Sequence, residues 1–234
     1  MRIYLLFLSL FFLTISSYAQ RNKTKIENLQ NFDQKKIHFG YYIGVNNYNY
    51  KLDYFNNPYH EKRIEIKNSF GLNVGLIGDL KLKKNLNLRF EPGLKTNKLN
   101  VLFSDVNLTG NNNLRKIKST YIHLPLLIKY SAKRYNNLKP YILGGLSTSF
   151  NLSSNQDSPE DNNNGVFRLK TNSFYYEIGF GIDFYLQYFK FSPSIRGVFS
   201  LKNEVVPDLD PNSPWTGNIN KMSTRAIFIN FSFH

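Results

Sequence analysis

The sequence predicts an all-β fold: an eight-stranded antiparallel up-and-down transmembrane β-barrel of the outer-membrane type. Three observations predict it. Apolar and polar residues alternate with period two over stretches that mostly reach or exceed the ~9–11 residues a tilted strand needs to span a bilayer. The connections between these stretches alternate long and short, as expected of a barrel with short turns at one end and long loops at the other. The polar faces carry both signs of charge, which suits a side-chain-filled lumen with the apolar faces turned to lipid.

The chain opens with Arg2, an apolar run from Leu5 to Ile15, and small residues at Ser17 and Ala19. This predicts a secretory signal peptide over residues 1–19, cut near Ala19. A membrane anchor is the weaker alternative, because the run is short and a cleavage-like site follows it. Residues 20–36 are too polar to be a strand and are expected to form a periplasmic N-terminal arm, either bound to a partner or disordered. The barrel domain is then 37–234.

The first strand, about 37–54, sets Ile37, Phe39, Tyr41, Ile43 and Val45 on one face. The second, about 65–82, opposes Phe70, Leu72, Val74 and Leu76 to Gly71, Asn73 and Gly75. The third, about 86–104, opposes Leu86, Leu88 and Phe90 to Asn87, Arg89 and Glu91; the fourth, about 116–132, opposes Ile122, Leu124, Leu126 and Ile128 to Tyr121, His123 and Lys129. The fifth is about 138–152. The sixth, about 167–187, has an aromatic face from Phe174 to Leu186 and a polar face that holds Glu177 and Asp183. The seventh, about 189–203, opposes Phe189, Phe191, Ile195 and Phe199 to Lys190, Ser192, Ser194 and Arg196, and the eighth is about 223–234. Pro92, Pro125 and Pro193 fall inside strands; because proline cannot donate to a ladder, bulges or breaks are expected there. Tyr130, Tyr141 and Tyr188 lie near turns, where an interfacial girdle is expected.

The chain has 234 residues, 30 Lys and Arg against 16 Asp and Glu, a net charge of +14 and no cysteine. The missing cysteine excludes disulfides, thiol-bound metals and a lipid-anchored lipoprotein. A basic exported chain points to anionic lipid rather than nucleic acid as its charged partner. After residue 20 no run is long and apolar enough for a transmembrane helix.

Glu177 and Asp183 invite a catalytic reading. Six residues along a strand separate them by ~20 Å, whereas paired glycosidase carboxylates lie within ~5–9.5 Å. The tight turn after Leu186 instead sets residue i opposite 375 − i. Glu177 then faces Val198 with Arg196 on the diagonal, and Asp183 faces Ser192 with Lys190 on the diagonal, within reach of long side chains. Arg89 and Glu91 are expected to join this lumen charge network, whose reading is structural, with an ion or proton path as the alternative. Glycines on the polar faces make room for large neighbours. The four histidines show no metal-ligand spacing, and His123 with a serine would be the seed of a barrel hydrolase, but no serine elbow accompanies it. No catalytic residue, metal, cofactor or small-molecule substrate is assigned. The loop 203–223 holds the single tryptophan, Trp215, and is the first place to look for a partner-binding surface.

The segments ENLQNFDQKKIHFGYYIGVN (27–46), STYIHLPLLIKY (119–130), LKPYILGGLSTSFNL (138–152) and YYEIGFGIDFYL (175–186), with the SFH ending, resemble the PorT/SprT family of Bacteroidota. The resemblance covers most of the mature chain. It implies an outer-membrane barrel serving type IX protein secretion, and adhesin export in gliding species, with other secretion-system proteins as partners and no enzymatic activity. The last strand also resembles an outer-membrane assembly signal, but it ends in His234 after Phe233. The alternatives are a general adhesin or minor porin, a barrel enzyme, and a soluble periplasmic barrel.

Overall fold

Period-two alternation becomes a closed ring of antiparallel strands in the computed structural model, which describes residues 26–55, 64–103, 114–156, 168–210, 213 and 215–234. The strands are β1 (Ile37–Tyr54), β2 (Ile64–Asn68), β3 (Phe70–Lys83), β4 (Leu86–Phe90), β5 (Gly93–Phe103), β6 (Leu114–Ser131), β7 (Leu138–Asn151), β8 (Asn172–Tyr185), β9 (Lys190–Ser200) and β10 (Ile219–Phe233). β2 with β3, and β4 with β5, are the two halves of single broken staves, so the ring has eight staves. It closes where β1 pairs with both β3 and β10. The expected signal peptide, 1–19, and residues 56–63, 104–113 and 157–167 lie outside the described residues.

Two strand starts differ most from expectation. The sixth stave begins at Asn172; ahead of it Leu169 makes an isolated bridge to Val205 and folds across the barrel end. The last strand begins at Ile219, because Ile219 and Met222 bury their side chains in the cluster beneath that fold.

The prolines fall where the ladder lapses. Pro92 separates β4 from β5. β6 runs unbroken through Pro125, whose carbonyl accepts from Glu91 N at 3.3 Å. In an antiparallel strand a residue's N and O point to the same neighbour. The donor missing from Pro125 therefore faces Glu91 at the Pro92 break. β9 also runs through Pro193, and the β8–β9 register skips it between Gly181↔Ser194 and Phe184↔Phe191.

The outward faces are apolar and exposed, including Phe39, Leu72, Leu76, Ile142, Ile178 and Phe180, while the inward faces bury polar residues. Tyr130 and Tyr188 are exposed near turns, as a girdle requires. Tyr141 does not join them: it is 3% exposed and faces the lumen, because it stands at an inward position of β7 opposite Gly181. A Cβ at Gly181 would collide with the Tyr141 ring, and one at Gly93 with Tyr42, so these glycines do make room for aromatic neighbours.

Candidate functional site

The turn Leu186–Phe189 sets the β8–β9 register at Glu177↔Val198 and Tyr185↔Lys190. Arg196 then reaches Glu177 at 3.0 Å and, across the lumen, Glu91 at 2.5 Å. Arg89 joins Glu91 at 3.3 Å to Asp79 at 2.8 Å. At the other end of this chain, His123 Nε2 lies 2.7 Å from Glu177 and its Nδ1 lies 2.6 Å from Ser149 Oγ. One relay of polar contacts thus runs Asp79–Arg89–Glu91–Arg196–Glu177–His123–Ser149, all of it buried.

Asp183 belongs to a second cluster. Ser192 donates to it at 2.6 Å, and its closest cation is Lys129 at 2.6 Å, with Lys190 farther off at 3.9 Å. The two acids of β8 therefore do not meet. The Tyr141 ring lies between their clusters, 3.8 Å from Lys129 Nζ and 5.8 Å from Arg89 Cζ. Asp79, His123 and Lys129 are members that the local hairpin register did not supply. Their inward parity was visible, but their partners lie across the lumen. Lys95 is buried with no hydrogen-bond partner for its Nζ among the described residues, and that Nζ rests 3.8 Å from the centroid of Phe228.

A lumen packed with paired charges behind a lipid-facing apolar wall is what a small outer-membrane barrel requires. A family profile described as "Outer membrane protein beta-barrel domain" matches residues 18–206. The chain belongs to that family. This outer-membrane barrel is located in the outer membrane, surrounded by its lipid. Among solved structures it is similar to OprG from Pseudomonas aeruginosa, at 14% identity and TM-score 0.47, covering 84% of this chain and 93% of that one. It is similar to AlkL in DMPC bilayers at 11% identity and TM-score 0.47, covering 92% of each chain. It is also similar to Ail from Yersinia pestis at 10% identity and TM-score 0.38, covering 85% of this chain and 98% of that one. No curated protein matches it.

Short turns mark the periplasmic end of such barrels, and the segment 26–36 is docked at the end that carries them. Arg134 donates to the carbonyls of Asn28 and Leu29, Lys81 Nζ to Asp33 O at 2.6 Å, and the Tyr185 hydroxyl to Asp33 Oδ1 at 2.7 Å. Phe32, at the start of a 3-10 turn, stacks on His38 with centroids 4.2 Å apart, and Lys190 Nζ lies over the Phe32 ring, 4.7 Å from its centroid. Partial burial raises the Asp33 carboxyl, but the Tyr185 hydroxyl and the Lys139 ammonium more than offset it, so its pKa lies below the ordinary value.

The extracellular end of the barrel is filled differently. Tyr48, Leu99, Val101, Leu169, Val205, Trp215 and Met222 form one buried cluster. Trp215 is 4% exposed, so the indole belongs to this interior and not to the outer surface of its loop. Glu204, also in that loop, accepts from Thr224 N at 2.9 Å and from the Thr224 hydroxyl. Burial pushes its pKa above the ordinary value, and hydrogen bonds from Thr224, Tyr175 and Ser173 only partly counter this. A cavity of about 10 Å³ beside Tyr50, Tyr121, Ser173, Tyr175 and Glu204 has room for about one water.

Ser149, His123 and Glu177 have the residue types of an acyl-transfer triad. All three are buried, Glu177 is also held by Arg196, and the nearby cavity admits no substrate. A larger depression, about 650 Å³, lies on the lipid-facing wall between Ile128, Gly144, Ile178 and Gly197.

Proposed function

We propose that the protein works through its two ends, by protein–protein contact, as an accessory component of the type IX secretion pathway, and that it is not an enzyme. The observation that carries the first part is the occupied lumen. The relay from Asp79 to Ser149 crosses it, the Trp215 cluster fills its extracellular end, and the docked arm lies at its periplasmic mouth. The pathway itself rests on the resemblance of residues 27–46 and 119–130 to the PorT/SprT family. The arm that carries part of that resemblance presents Lys35 and Lys36 at the periplasmic face, both exposed. The lumen charge network of Arg89, Glu91, Glu177, Asp183, Lys190 and Arg196 is on this reading structural, and the Trp215 loop offers partners its outer backbone and polar rim.

Deletion of the chain from its native strain is the test. Cargo of the secretion pathway is expected to accumulate in the periplasm, and recoding only the arm residues Asn28, Phe32 and Asp33 to alanine is expected to reproduce part of that defect. Undiminished secretion in the deletion strain refutes the pathway. A general small barrel, adhesive or porin-like, is then the reading that stands. Ion currents through the purified barrel in a planar bilayer would refute the filled-lumen premise separately.

A further inference from the structure

Lys98 on β5 and Lys118 on β6 are directly opposed in the strand register, at exposed outward positions. Like charges directly opposite each other on a sheet are destabilising. Two other outward lysines toward the same end do have an acidic neighbour: Lys51 pairs with Asp53 at 2.8 Å and Lys67 with Glu65 at 3.8 Å. Neither Lys98 nor Lys118 has an ion-pair partner among the described residues. Lys67 stands beside them, opposite Asn100 in the same register and hence diagonal to Lys98. The outward faces beneath are apolar, with Leu94 on β5 and Leu126, Ile128 and Tyr130 on β6 exposed.

The height of the pair is set by the strand. From Tyr130 in the periplasmic girdle to Lys118, a strand rising ~3.3 Å per residue at ~40° tilt climbs about 30 Å. The apolar band of such a barrel is ~25 Å tall. The two ammonium groups therefore leave the apolar wall at the level of the outer-leaflet headgroups. We propose that Lys98 and Lys118 clamp a phosphate of a lipid A-type glycolipid of the outer leaflet. A phosphate between them turns a repulsive pair into two charge-assisted hydrogen bonds, and its acyl chains lie against the apolar wall below. Lys67, with part of its charge turned to Glu65, is the secondary contact. This site lies on the outer wall and is independent of the secretion role.

The test uses the full mature chain refolded in detergent micelles, titrated with bisphosphorylated lipid A and followed by native mass spectrometry. The wild type is expected to retain one such lipid more strongly than phosphate-free lipid A. Lys98→Gln with Lys118→Gln is expected to lower retention about tenfold or more, the scale of two charges at a lipid surface. Lys51→Gln, at a neutralised lysine, is expected to change it less than about twofold. Equal retention of the phosphate-free lipid, equal retention by the double variant, or an equal loss in Lys51→Gln overturns the proposal. Gel migration of unheated samples reports folding, and should the double variant not fold, the same comparison is made with Lys118→Gln alone.

Discussion

Below the contact of Lys95 with Phe228 the lumen is filled by Arg89, Glu91, Lys129, Glu177, Asp183 and Arg196; above it, by Tyr48, Leu99, Val101, Trp215 and Met222. Both regions are filled by side chains, but by different means. In the lower one each acid is matched to cations drawn from other strands, so the geometry of every partner matters. In the upper one the energy comes from apolar area, which is non-directional. The difference teaches where the molecule tolerates change. The apolar region can be repacked at similar volume, whereas in the charged region even an isosteric loss of charge leaves a buried partner unpaired.

The comparison can be broken most forcefully at Arg196. Arg196→Met leaves both Glu91 and Glu177 short of a cation, and a loss of ~3–5 kcal/mol is expected in urea unfolding from lipid vesicles. A loss under ~1 kcal/mol would mean that pairing does not hold the lower lumen. A matched pair sharpens the point. Lys129→Met, of similar length but neutral, is expected to cost about 3 kcal/mol because Asp183 remains buried beside it, while Leu99→Met is expected to cost less than ~1.5 kcal/mol. Similar losses for the two would erase the distinction.

Glu204 is the exception within the apolar region, a buried carboxyl whose pKa is raised. Its protonated form is the one the fold favours. Its contribution is therefore complete at acid pH, below the ordinary carboxylate value, and is lost as pH rises through the raised one. Glu204→Gln is expected to flatten the stability profile between pH 4 and 8 and to stabilise the barrel at the upper end. A profile unchanged by the substitution would remove Glu204 from the account. The smallest effect is expected at the arm. Asp33 is depressed, so its anchoring is present above the ordinary carboxylate pKa and fades only as pH falls below it. With its side chain 35% exposed, Asp33→Asn is expected to change barrel stability by less than ~1 kcal/mol while speeding protease cleavage within 26–36.

The staves, their faces and the 375 − i register were legible because period two and a tight turn are local signals. The same signals placed Arg196 beside Glu177 and Ser192 beside Asp183. They could not rank Lys129 above Lys190 as the cation of Asp183, since β6 and β8 are separated by β7 and meet only across the lumen. Nor could they turn Tyr141 inward: proximity to a turn suggested a girdle, and only its opposition to Gly181 reveals the space that the ring fills. The polar arm read as partner-bound or disordered because its anchors, Arg134, Lys139 and Tyr185, are more than a hundred residues away in sequence.

The Arg196–Glu91 contact joins residues 105 apart in the chain. In a sheet that lacks β9, Asp79 and Glu91 would have only Arg89 of this relay between them, leaving unmatched charge on its inner wall. Inward charges of this kind discourage a growing sheet edge from pairing with a stray strand of another molecule. The ion pairs that stabilise the finished barrel thus also guard its assembly, which predicts that Arg196→Met and Lys129→Met chains form more aggregate than Leu99→Met during refolding at equal protein concentration.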